Sequence, residues 1–175
     1  MNEEKLMRGS AINGYLKFVK KKWGVAGLNE CLASAGLDAM LKEGGYYSRE
    51  VRLSILNWIA EERGMEFIKE AGKHTVLNLG LLSWLMRFAN PPTVAERMKE
   101  NYPEIYKYGR VEVDTSQEGR LFVKFYDLLT TKIEETAWVG VGEGFLEGTK
   151  TKGTIEVTSS QADGAEYTEF LVEYS

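Results

Sequence analysis

Apolar residues recur every three or four positions through residues 1–108 and every second position after Gly109. The chain therefore reads as helices followed by strands. Over residues 8–23, Ile12, Tyr15, Leu16, Val19 and Trp23 form one stripe, and Gly24 is expected to stop that helix. A short second helix follows, with Leu28, Cys31, Leu32 and Ala35 on one face and Gly36 just past its end. Ser48 can cap a third helix, in which Val51, Ile55, Trp58 and Ile59 face inward. Residues 65–71 suit a turn or two of helix ended by Gly72. Thr75 can then cap the most apolar helix, residues 76–88, which carries Trp84 and Phe88. A helix apolar on most sides belongs inside the protein. Asn90-Pro91-Pro92 breaks the chain, and Thr93-Val94-Ala95-Glu96 reads as a capping box for a helix running to Tyr102. A turn containing Ile105, Tyr106 and Tyr108 follows.

In the second half, Val111 and Val113 alternate with charged residues, as do Leu121, Val123 and Phe125 beyond a turn at 115–119. Residues 154–158 and 167–174 repeat the pattern around Asp163-Gly164. Between these two hairpins lies a helix-like insertion, 131–148, with Ile133, Ala137, Val141 and Phe145 on one stripe and Gly140, Gly144 and Gly148 beside it. Glycine costs about 1 kcal/mol relative to alanine inside a helix. Three on one face call for a close approach, either to the sheet or to a ligand. The predicted architecture is α+β: an N-terminal helical half, 1–108, packed on a four-stranded antiparallel sheet half, 109–175, in a single domain 1–175.

Composition narrows the function. The formal net charge is −4, but the first 108 residues carry +3 and the remainder −7. The one dense basic cluster, Lys17, Lys20, Lys21 and Lys22, fits a solvated helix face, so nucleic acid is not an expected partner. No apolar run reaches the roughly 20 residues of a membrane span. The charged N-terminus and the single cysteine, Cys31, fit a cytoplasmic protein without an internal disulfide.

Catalytic signals are sparse, and an enzyme is not expected. Gly140-Val141-Gly142-Glu143-Gly144 lacks the third glycine of a dinucleotide fingerprint, since Phe145 stands there, and no phosphate-loop lysine follows. His74 is the only histidine. It reads as a residue flanking a helix start, or alternatively as a metal ligand. The pairs Glu61-Glu62 and Glu134-Glu135 read as solvated faces. Aromatic residues are the better lead. Trp84, Phe88, Tyr102, Tyr106, Phe125 and Trp138, with Gly140 and Gly144, are candidates to line a cavity for an apolar or aromatic small molecule.

Several segments resemble a known family. Residues 7–16 (Met-Arg-Gly-Ser-Ala-Ile-Asn-Gly-Tyr-Leu), Trp23-Gly24 and Ala35-Gly36-Leu37 are similar to the opening of H-NOX (haem–nitric oxide/oxygen-binding) domains, and Gly144-Phe145-Leu146-Glu147-Gly148 is similar to that family's glycine-rich helix. The order of elements also matches, and 4-vinyl-reductase-like ligand-binding domains share the fold. The resemblance implies a sensor domain that signals to a separate protein. It also implies haem as the cofactor to consider, held by a histidine of the helix before the sheet and a Tyr-x-Ser-x-Arg motif. Neither is matched here: the axial slot falls at Tyr102 or Tyr106, with His74 a third candidate, and the second strand leads into Tyr126-Asp127-Leu128-Leu129-Thr130. The reading is therefore a small-molecule sensor without the usual His-ligated haem. Its alternatives are haem on an unusual axial ligand, or a structural module of the same fold, for which a homodimer is compatible.

Overall fold

The computed structural model describes residues 4–78 and 89–175. Strand β1 (Leu6–Arg8) leads into helix α1 (Gly9–Ser34) and pairs antiparallel with β2 (Tyr46–Ser48). Helices α2 (Arg49–Glu62), α3 (Glu66–Leu77) and α4 (Pro91–Ile105) follow. Strands β3 (Arg110–Asp114) and β4 (Arg120–Tyr126) form one hairpin, and β5 (Gly153–Ser159) and β6 (Thr168–Tyr174) the other. Helix α5 (Lys132–Gly148) lies between them in sequence. The four strands make one antiparallel sheet in the order β3-β4-β6-β5. The expected α+β architecture, two hairpins around a glycine-rich helix, is the one observed.

Two apolar cores follow from these faces. Ile12, Leu16, Ile55, Ile59 and Ile68 centre the helical one. Leu121, Val123 and Phe125 alternate inward on β4 and meet Phe170 and Val172 of β6, forming the sheet core with Leu146 of α5. Tyr106 and Tyr108 pack against both cores and so occupy the seam.

Gly24 breaks the first helix as expected: its backbone (φ 72°, ψ −167°) is non-helical, and a second helical segment of α1 resumes beyond the kink and runs to Ser34. A glycine pays no steric penalty at that φ, so the chain can turn and resume. Gly36 follows the helix end with φ 68°, also as expected. Local chemistry differs from the sequence expectation at three places. The helix expected to end at Gly72 runs on as α3 to Leu77, and Thr75 lies inside it with its hydroxyl donating to Gly72 O at 2.7 Å. Helix α4 starts at Pro91 rather than after Thr93: Asn90 is the cap, accepting from Thr93 N at 2.9 Å. Prolines tolerate the first helical positions because the amides there lack intrahelical partners. The short β1–β2 ribbon carried no sequence signal. It is extended by Lys107 N donating to Leu6 O at 2.9 Å, next to a bridge between Met7 and Tyr106. The bulk of the expected helix 76–88, with Trp84 and Phe88, falls outside the described residues.

The glycines of α5 do mark a close approach, but the neighbour is α3. A Cβ on Gly140 would collide with Lys69 O, and one on Gly72 with Ala137 O. At Gly144 it would stand 3.0 Å from both Lys73 O and Val76 Cβ. Two helix backbones thus touch without side chains between them, and α3 against α5 is the most extensive helix pairing among the described residues.

The second tie between the halves is ionic. The expectation that Glu134 and Glu135 are solvated is overturned: Glu134 is fully buried and Glu135 is 7% exposed. Thr131 caps α5 and pairs with Glu134 as a capping box: the Thr131 hydroxyl accepts from Glu134 N, and also donates to Glu134 Oε2, both at 3.2 Å. The same carboxylate receives Arg49 through Nε at 2.9 Å and Nη2 at 2.5 Å, and Arg52 through Nη2. Thr130 N adds a further bond at 3.1 Å. Burial alone would raise the Glu134 pKa. The hydrogen bonds and charges of Arg49 and Arg52 outweigh it and hold the carboxyl below its ordinary value. Glu135 is anchored separately, by Ser160 Oγ at 2.5 Å and Lys132 Nζ at 3.1 Å.

Two predictions follow from this packing. Gly72→Ala and Gly140→Ala should each destabilise the fold by about 1–3 kcal/mol through overpacking. Gly44→Ala, in a loop with nothing within 4 Å, should be neutral in the same urea titrations. Glu134→Gln leaves two buried guanidiniums without a counter-charge and should cost roughly 3–5 kcal/mol. Because the folded-state pKa of Glu134 is lowered, its contribution is complete above the unfolded value of about 4.5 and fades as pH falls through the folded value. The wild type should accordingly lose stability in acid below that point, and Glu134→Gln should flatten the loss.

Candidate functional site

The candidate site is the seam where α4 and α5 meet the first helix. Pro103 lies within α4, the helix ends at Ile105, and Tyr106 continues in extended conformation (φ −118°, ψ 126°). That turn aims three tyrosines inward in quick succession. Tyr102 and Tyr106 stack with centroids 4.9 Å apart and planes 25° from parallel. Tyr108 meets Tyr106 edge-on at 6.0 Å, and Trp138 of α5 lies 6.3 Å from Tyr106. The Tyr102 hydroxyl donates to Tyr108 O at 2.9 Å, which ties the turn to its own helix.

Between α1, α3, α4 and α5 these side chains bound a cavity of about 140 Å³. Its walls among the described residues include Ala11 and Tyr15 of α1, Thr75 and Val76 of α3, Met98, Tyr102, Ile105 and Tyr106, and Trp138, Val141 and Phe145 of α5. The indole Nε1 of Trp138 is buried and has no hydrogen-bond partner. A second void, about 70 Å³, lies between α4, α5 and the sheet; Phe125 lines it, and Trp138 borders both.

The guanidinium of Arg52, 1% exposed, acts electrostatically on Tyr15, Tyr106 and Tyr108. Its Nη2 donates to Glu134 and the group also reaches the Tyr106 phenol, while Nε, Nη1 and the buried Tyr108 hydroxyl have no partner of normal geometry. Burial raises the pKa of Tyr15, Tyr102, Tyr106 and Tyr108 alike, with Arg52 acting in the opposite direction on each. All four phenols therefore stay neutral around a permanent cation.

Of the residues expected to line a cavity, Tyr102, Tyr106 and Trp138 come together here. Phe125 belongs to the neighbouring void. Gly140 and Gly144 face the α3 backbone instead, and Trp84 and Phe88 lie outside the described residues. His74 stands apart from the tyrosine pair: its ring tilts against Phe18 at 5.6 Å, in a surface groove shared with Lys21, Lys22, Glu70 and Lys73. Burial and the charge of Lys21 lower its pKa. Cys31 is buried in the helical core, its thiol pushed up to about 12 by burial, which suits an inert packing residue.

Arg52 was not singled out in the sequence and Glu134 was read only as a solvated residue, yet a signal for burial existed for each. Arg52 precedes Ile55 by three positions and Ile59 by seven, so it sits on the apolar stripe of α2. Glu134 precedes Ala137 by three and Val141 by seven, and it follows Thr131 at capping-box spacing. A charge on an apolar stripe is a prompt to look for its counter-charge.

In this arrangement the described residues do not fit haem. Cavities for drug-sized molecules start at about 300 Å³, already twice the space present. The two axial candidates on the seam, Tyr102 and Tyr106, are stacked on each other and protonated, and His74 faces away from them. No group of three or more His, Cys, Asp and Glu side chains among the described residues could hold a metal ion. No helix among them is long and apolar enough to cross a membrane.

No family model matches the sequence, and no curated protein does. Solved structures do match. An H-NOX protein from S. oneidensis in the Fe(II)NO ligation state superposes with a TM-score of 0.79 at 14% identity, covering 97% of this chain and 99% of that one. An oxygen-binding H-NOX domain related to soluble guanylate cyclases gives 0.75 at 16%, over 97% and 95%. A structure described in terms of the molecular mechanism of H-NOX activation gives 0.73 at 15%, over 97% of each chain. Nearly the whole chain is thus covered, and the fold is H-NOX-like.

Proposed function

We propose that this chain is a sensor domain that takes a compact, largely apolar ring molecule, in place of haem, in the cavity between α1, α3, α4 and α5. The cavity itself carries the reading. Its volume of about 140 Å³ is close to the roughly 150 Å³ of an engineered apolar cavity that binds benzene. Its walls are mainly aliphatic and aromatic, with Ser10 and Thr75 among them, and the buried Trp138 Nε1 has no hydrogen-bond partner. A pocket of few, convergent polar groups on an apolar surface is the usual form of a small-molecule site.

Signalling would follow from the seam. A guest that spreads Trp138 from Tyr106 favours whichever arrangement of α5 against α4 accommodates it, and only that unequal affinity shifts the equilibrium. The output would pass to a separate protein in the cytoplasm. On this reading the domain performs no catalysis.

The competing reading is haem on Tyr102 or Tyr106. It draws support from the fold, since matched H-NOX structures are described by heme distortion and heme redox potential, and from the position of both tyrosines on one cavity wall. It requires the stacked pair to separate.

Hemin titration divides the two readings. The expected outcome is no Soret band at one haem per chain, with benzene or benzyl alcohol shifting the Trp138 indole N–H resonance. Ala11→Leu, which fills the cavity, should abolish that shift while leaving urea stability within about 1 kcal/mol. A stoichiometric Soret band lost in Tyr102→Phe or Tyr106→Phe would establish the haem reading instead.

A further inference from the structure

We infer that the cavity and a groove outside it form one two-part site, and that the sensed molecule is a small aryl acid. Its ring lies in the cavity, a short chain passes Tyr106, and its acid group lies in the groove. This deepens the reading above and rests on it. The groove, about 430 Å³, runs over the end of α4 and the start of β3. Tyr102 and Tyr106 line both the groove and the cavity, so their side chains are a wall common to the two. A side chain can change rotamer where a helix backbone stays in place.

Charge divides the two parts. No charged residue stands among the described walls of the cavity. The groove is lined by Lys99, Lys107 and Arg110, and by no acidic residue among the described ones. These cations are also loosely paired. Lys99 is 3.7 Å from Glu96 and Arg110 is 3.4 Å from Glu112, while Lys107 Nζ donates to a backbone oxygen, Pro103 O, at 2.7 Å. Elsewhere Lys69 and Arg120 each lie 2.6 Å from a carboxylate. A cleft lined by one sign of charge focuses its field and draws the opposite ion. An ionised acid is costly in the apolar cavity and favoured in the groove, and an aromatic ring gains most by burial in the cavity. A molecule with both ends satisfies both parts.

Tyr106 is the movable piece of the wall. It is half-buried, whereas Tyr102 is 4% exposed and its hydroxyl is tied to Tyr108 O at 2.9 Å. The main chain at Tyr106 is held by its N–H on Tyr102 O at 2.9 Å and by the bridge to Met7, so the side chain alone would turn. Turning gives up the stack on Tyr102 and the contact with Arg52, which ties occupancy of the site to the seam.

The test uses the full chain and two pairs of probes: sodium hydrocinnamate with its neutral analogue hydrocinnamyl alcohol, and sodium benzoate with benzyl alcohol. Each is followed by the Trp138 indole N–H resonance, which is identified by its absence in Trp138→Phe. Hydrocinnamate should bind about fivefold more tightly than hydrocinnamyl alcohol, as several exposed charge contacts together allow, and the ratio should fall at high salt. Benzoate should bind no more tightly than benzyl alcohol, because its acid is attached directly to the ring and cannot reach the groove. Lys99→Gln, Lys107→Gln and Arg110→Gln together should erase the preference and leave hydrocinnamyl alcohol unchanged; all three residues are exposed, so the fold persists. Ala11→Leu should remove the binding of both hydrocinnamyl probes. Equal or weaker binding of hydrocinnamate than of its alcohol, a preference that survives the triple variant, or an equal preference for benzoate would overturn the two-part site and leave the cavity reading standing. So would hydrocinnamate binding that survives Ala11→Leu while the alcohol is lost. No response to any probe would remove both.

Discussion

Glu134 is a single carboxylate, fully buried, on which two helices converge. Its backbone opens α5 through the capping box with Thr131, and its side chain draws Arg49 and Arg52 down from the first turns of α2. Moving an ion pair from water to the interior costs several kcal/mol per ion and is recovered only with good geometry and saturated hydrogen bonds. Glu134 has both, since five donors reach its two oxygens. The position of α5 relative to the helical half is therefore set within narrow limits. Trp138, one turn further along, inherits that position, and with it the wall of the cavity.

The glycine contacts complete the constraint from the other side. Helix α5 is clamped to α3 at Gly72, Gly140 and Gly144, where no side chain can rearrange to absorb a shift. The element that carries Trp138 is thus rigid. The adaptable part of the seam is the opposite wall, where α4 runs out into Tyr106 and Tyr108. That segment is held mainly through its backbone, by Lys107 N on Leu6 and by the Tyr46 hydroxyl on Glu104 O at 2.8 Å. On the proposed reading, a ligand entering between the two walls would meet a fixed indole and have to displace a tyrosine.

Much of this was legible before any coordinates. The switch from a period near 3.6 to a period of 2 at Gly109 located the sheet, and alternation along β4 identified Leu121, Val123 and Phe125 as its inner face. The glycines of α5 announced a close approach because their cost in a helix demands a return. What they approached was hidden, since a helix–helix crossing and a helix–sheet contact look alike from one partner. Arg49, Arg52 and Glu134 were illegible as a set for a different reason. Charged residues near helix starts are usually solvated, and a charge on an apolar stripe signals burial without naming a counter-charge more than eighty residues away. Gly72 misled in another sense: glycine licenses a helix end, as at Gly24, but does not compel one where packing carries the helix through.

The sequence distance across the ion cluster has a consequence for synthesis. Arg49 and Glu134 are separated by 85 positions. A chain emerging from the ribosome presents α1, α2 and α3 in full while α5 is still unmade, so two arginines destined for the interior have no acid to meet and must stay in water. Ile55 and Ile59 can already pack on Ile12 and Leu16 of α1, but Arg52 beside them still lacks its acid, and α3 keeps Gly72 bare for want of a second helix. For that interval the helical half lacks the helix that covers the glycine face of α3. Arrival of Glu134 neutralises and closes it in one step, so that the residue built into the last third of the chain decides when the first third is finished.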